Sequence, residues 1–117
     1  MQFVLVVYHG SSPLPNSHGW KALSEAEQKA IYAEYAELNK TPGIMPGLPA
    51  IAPNRATTVQ VRNGKVEVKD GAHLGEGIGG AFIFDADSME AAIALAARIP
   101  QARLGGAVEI RPCEKYY

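Results

Sequence analysis

Asp70, His73 and His9 are the residues of this chain whose types and settings suit proton transfer. Asp70 stands directly before Gly71, and His73 follows three positions later in a glycine-rich stretch. A carboxylate beside a turn glycine has two readings. It caps the turn through a bond to a nearby backbone N–H, or it faces a cavity as a general base or acid, which requires burial to lift its pKa. His73 can touch Asp70 across the turn, which would orient the imidazole and raise its basicity; the plainer reading is a solvated loop residue. His9 closes the first apolar run, just before Gly10, at the kind of strand end that lines clefts. Its plainer reading is an exposed loop histidine.

Other groups carry less chemistry. His9, Asp70 and His73 together could ligate a transition metal, but they lack a spacing such as His-x-x-x-His. The leading reading uses no metal and no organic cofactor. Cys113, in the tail after Pro112, has only Lys115 as a nearby charge and no evident base, so it is not read as a nucleophile. Gly75, Gly77 and Gly79 have the wrong spacing for a nucleotide loop and lead into a strand, not a helix. Tyr32 and Tyr35 read as core or pocket wall with hydroxyls available to a ligand. Trp20 reads as a packing anchor, with a substrate clamp as the alternative, and His18 as solvated.

The elements that must position these groups are legible in order. Residues 2–8 form a β-branched and aromatic run of strand length, followed by a proline-bearing loop to about Leu23. Ser24 with Glu27 makes a capping box, and Ile31, Tyr35 and Leu38 then form one apolar helical stripe. Thr41-Pro42-Gly43 ends that helix near Asn39. Residues 42–53 hold four prolines and read as a rigid, packed loop. Thr57 to Arg62 and Lys65 to Lys69 alternate strictly around Asn63-Gly64, the signature of a type I′ hairpin. This register pairs Val61 with Val66 and Val59 with Val68 on one face. Ala81 to Phe84 read as a short strand. Asp87 and Glu90 read as a second capping signature, opening a helix over 88–98 with Ala92, Leu95, Ala96 and Ile99 on one face. Ala107 to Arg111 form a last strand.

Strand, helix, hairpin, strand, helix, strand is a ferredoxin-like split βαβ pattern once the hairpin is set aside as an insertion or one of its strands is counted. Two helices on one side of an antiparallel sheet leave the other side open. A homodimer is the expected cover.

Composition sets bounds. A chain of 117 residues fits a single domain over 1–117, and 47% apolar with 20% charged residues is globular. Net charge is −1 with the basic residues thinly spread, which gives no footprint for nucleic acid or an anionic membrane. The longest apolar runs are too short to span a bilayer, and the N-terminus carries no secretory pattern. A single cysteine excludes an internal disulfide, and a cytoplasmic location is expected.

Several segments resemble the YCII-related proteins of the DGPF type. They are Thr57 to Lys65 followed by Asp70-Gly71, Gly79-Gly80 before an aromatic strand, Asp87 to Ile93, and Gly105 to Pro112. Tyr32 to Tyr35 with Thr41 to Pro49 is similar to one branch of that family. The resemblance implies a ferredoxin-like α+β barrel formed by dimerisation. It also marks Asp70 as the signature aspartate. Two departures stand out. The Asp-Gly-Pro-Phe signature is Asp70-Gly71-Ala72-His73 here, and the loop from Leu74 to Ile78 is shorter and richer in glycine. Some smaller relatives place a histidine of a His–Asp pair on the first helix, whereas the helix opened by Ser24 has none.

The expected function is cofactor-independent acid–base catalysis, as a lyase or isomerase, on a small metabolite in the barrel pocket. Asp70 would move the proton, with His9 or His73 as partner, and Tyr35 would position the ligand with Tyr32 and Trp20 nearby. The alternatives are a non-catalytic small-molecule-binding protein using the same cavity, and a metal-dependent enzyme using His9, Asp70 and His73.

Overall fold

The computed structural model describes residues 1–13, 18–45, 56–71, 73 and 78–114. In these, β1 (Gln2–Tyr8), α1 (His18–Ala22), α2 (Glu25–Asn39), β2 (Ile44–Met45), β3 (Thr57–Arg62), β4 (Lys65–Asp70), β5 (Ile78–Asp85), α3 (Met89–Ala96) and β6 (Ala107–Pro112) follow in order, with a 3-10 turn at Pro100–Ala102. The main sheet runs β2-β5-β1-β6, and its ladders are all antiparallel. That is the ferredoxin-like order, with β1 central and the β3–β4 hairpin inserted as a sheet of its own.

Local chemistry explains the starts of the long helices. The Ser24 hydroxyl accepts from the Glu27 N–H at 3.1 Å while the Glu27 carboxylate accepts from the Ser24 N–H at 3.0 Å, a complete capping box. Ile31 and Leu38 are buried, and Tyr35 packs against the same core. In α3 the cap differs from the expectation: the Ser88 hydroxyl accepts from the Ala91 N–H at 3.2 Å. Asp87 precedes the cap, and the helix ends at Ala96 rather than Arg98. Its expected face holds, since Ala92, Leu95, Ala96 and Ile99 are all buried.

Alternation in β1 sends Phe3, Leu5 and Val7 into the core against Phe82, Phe84, Leu38, Leu95 and Ile99. Val4, Val6 and Tyr8 take the opposite side with Ile78, Ile83 and Met45. Ile78, Ile83 and Met45 are exposed and the three β1 residues half-buried, so this side of the sheet is open in a single chain.

Three further departures refine the reading. The loop after β1 contains the short helix α1. The proline-rich segment contributes β2 at Ile44–Met45, where two residues pair with Phe84 and Ile83; residues 46–53 of that loop lie outside the described residues. The strand expected over 81–84 extends to 78–85 and so includes Gly79 and Gly80. The hairpin register is as expected, with Asn63 and Gly64 at φ 52° and 76°.

Candidate functional site

The site is built around the end of β1. Residues 3, 5 and 7 point inward, and His9 takes the next inward place in the same row. Its side chain is only 7% exposed. A β-bulge accommodates it: Val7 pairs with Gly80 and Tyr8 with Ile78, which leaves Gly79 as the extra residue on β5. A Cβ at position 79 would sit 2.3 Å from Cε1 of His9, so the imidazole lies directly on glycine backbone.

The chain then turns sharply. The Ser12 N–H and hydroxyl both donate to the His9 carbonyl, at 2.9 and 2.6 Å, and Ser12 is buried. Gly10 has φ +54°, and a Cβ there would meet the Gly105 carbonyl oxygen at 2.2 Å. The Ser11 N–H donates to that same carbonyl at 3.1 Å. The turn after β1 is therefore pressed against the loop before β6. That loop is held in turn from α2: the Tyr35 hydroxyl donates to Oε1 of Gln101, and the Gln101 carbonyl accepts from the Gly106 N–H at 2.9 Å. Burial, with the nearby Glu34 charge second, pushes the Tyr35 pKa up to about 12, so its proton stays in place as a donor.

Electrostatics single out His9. Neither of its ring nitrogens has a hydrogen-bond partner among the described residues, and desolvation lowers its pKa below the usual value. It is therefore a neutral imidazole at pH 7, with one nitrogen free to accept and the other to donate.

The other candidates lie elsewhere. Asp70 ends β4, is exposed, and pairs across the hairpin with Thr57. The base of the hairpin is closed without its carboxylate: the Gly71 N–H donates to the Ala56 carbonyl at 2.7 Å and the Thr58 hydroxyl to the Gly71 carbonyl at 2.7 Å. His73 is exposed. Among the described residues no group of three or more His, Cys, Asp or Glu side chains is placed to hold a metal ion, so His9, Asp70 and His73 do not form the ligand set considered from sequence. Trp20 is buried in α1, its ring meeting Tyr32 edge-on at 5.3 Å between centroids, with Tyr32 more than half exposed. This is packing of an aromatic pair. His18 opens α1 and is exposed, and Cys113 is exposed. A shallow polar cleft between α2 and the end of α3 is lined by Glu34, Glu37, Ala97, Arg98 and Arg103. There Arg103 clasps Glu34 with two bonds of 2.5 Å, which hold the Glu34 carboxyl below its usual range.

Sequence reasoning missed Ser12, Gln101 and the Gly79 bulge. Ser12 and Gln101 carry no sequence signal. The burial of His9 did have one, the alternation of positions 3, 5, 7 and 9.

The family model of the YCII-related domain matches residues 1–115. The chain belongs to the YCII-related family. No curated protein matches it. No helix of the YCII-related chain among the described residues is long and apolar enough to cross a membrane.

Proposed function

We propose that this YCII-related protein is a homodimeric enzyme acting on a small metabolite by proton transfer, with His9 as the general base. The observation that supports it is the imidazole of His9, 7% exposed with both nitrogens unpaired. Buried polar atoms normally have partners, and a ligand supplies them here. A neutral imidazole takes a proton through one nitrogen while the other nitrogen's N–H steadies an oxygen of the same ligand. Dehydration, elimination or isomerisation of a carbonyl-bearing compound fits that pair of actions. The second copy covers the open side of the main sheet, where Val4, Val6, Ile78, Ile83 and Met45 make an apolar centre. Asp70 and His73 are secondary acid–base groups in this reading, because both are exposed in the single chain.

Binding without chemistry is a second reading, favoured by the exposure of Asp70, which leaves His9 without a second acid or base hydrogen-bonded to it among the described residues. One experiment separates the two. The wild type and His9→Gln are incubated with a metabolite mixture and the mixture is followed by mass spectrometry. Catalysis predicts consumption of one compound, slowed by about 10²-fold or more in His9→Gln. Recovery of every compound unchanged, with ligand binding retained, overturns catalysis and leaves binding.

A further inference from the structure

The β3–β4 hairpin carries its apolar side chains on the wrong face for its own chain. Cross-strand register and alternation place Thr57, Val59, Val61, Val66, Val68 and Asp70 on one face. The valines are 59%, 65%, 68% and 65% exposed in that order. Thr58 and Gln60 on the opposite face are the half-buried ones. A lone two-stranded hairpin is marginal in water without a packed apolar face, and a continuous exposed strip of this kind marks a contact surface.

We infer that the valine face of the hairpin docks on a second copy of this chain, and that the same contact covers Asp70. Self-association fits the strip's chemistry. Stacked on its own copy about a twofold axis, it brings valine to valine. Asp70 is the one ionisable group on the face and lies at its end opposite Thr57, so an antiparallel arrangement sets the two carboxylates apart. The valines offer on the order of 300 Å² of apolar surface. That is less than the roughly 800 Å² per partner of a stable interface, and the open side of the main sheet supplies the remainder. The inference rests on the proposed homodimer and adds a second surface to it. Its consequence for the site is that Asp70 leaves water only in the dimer. A general acid or base needs that change of surroundings, and a single chain does not give it.

The test uses the full chain. Light scattering across a dilution series gives the dimer dissociation constant of the wild type and of Val61→Asp/Val66→Asp, whose positions are exposed in one chain. In parallel, Val61→Cys in a Cys113→Ser background is treated with a short bis-maleimide. The inference expects a wild-type dimer, a dissociation constant raised at least 100-fold by the double substitution, and crosslinked dimers through position 61. A dimer whose dissociation constant changes less than threefold, with no crosslink, overturns the hairpin contact and leaves the sheet-face dimer standing. A wild type that is monomeric at tens of micromolar overturns both. Failure of the double variant to fold leaves the decision to the crosslink, where its absence counts against the contact.

Discussion

A histidine buried with neither ring nitrogen paired is destabilising at its own position, by about 1–3 kcal/mol for each unsatisfied polar group. His9 is such a residue, and a purely structural position would be better filled by an aliphatic side chain. His9→Leu is therefore expected to fold at least as stably as the wild type at pH 7, by about 1 kcal/mol or more in denaturant melts, while ligand binding is lost. A loss of several kcal/mol would make His9 a structural residue. The pH dependence has a defined sign. The folded pKa of His9 is below its unfolded value of 6.5 because burial disfavours the imidazolium. The unfolded chain then binds the proton more readily, so this contribution to stability is intact above pH 6.5 and is lost as pH falls from 6.5 through the folded pKa. The difference between the wild-type and His9→Leu melting curves, present at pH 7, should widen further in that acidic window. Gly79→Ala probes the seat of the ring: a Cβ at 2.3 Å from Cε1 forces the imidazole to move, for an expected loss of about 1–3 kcal/mol and displaced His9 resonances.

At the scale of elements, the segments that could be read from sequence are those specified by local chemistry. The Ser24–Glu27 box and the Asn63-Gly64 turn each fix their geometry within four residues, and both stand in the structure as read. Ser24→Ala should lower stability by about 1 kcal/mol, measured by urea melts at pH 7, through loss of the first-turn acceptor. The strand β2 was not legible because two residues in a proline-rich segment carry no periodicity, and pairing with β5 alone makes them a strand. The same holds for α1, which is five residues long and held by the burial of Trp20. The cap of α3 was misplaced by one residue because Asp87 and Ser88 are both good caps, and only the register of the first turn chooses between them. Half of the site was open to reading. The row Phe3, Leu5, Val7, His9 has strand period and points His9 inward. The bulge at Gly79 and the Gln101 tie to Tyr35 depend on contacts between distant segments, which a linear pattern does not hold.

The whole molecule is extended for its length. Its radius of gyration is 16.0 Å, against about 13 Å for a compact chain of this size, in keeping with a hairpin that stands apart from the main sheet. Both the hairpin face and the open side of the main sheet are apolar and exposed in the single chain, and the proposed dimer would bring both out of water. Ile83→Asp, at the centre of the open side and 38% exposed, should weaken dimerisation by at least tenfold in sedimentation equilibrium while leaving the monomer folded. An unchanged dimer would place the interface elsewhere. The claim that matters most is that His9 is a buried neutral imidazole waiting for a ligand. The direct measurement is the nitrogen NMR spectrum of His9 in the intact protein, titrated with pH and then with metabolite mixtures. The expected result is a ring whose titration falls below pH 6.5, with ring-nitrogen shifts that move when a small carbonyl compound binds. An imidazole that titrates at or above 6.5 and ignores every mixture would contradict it.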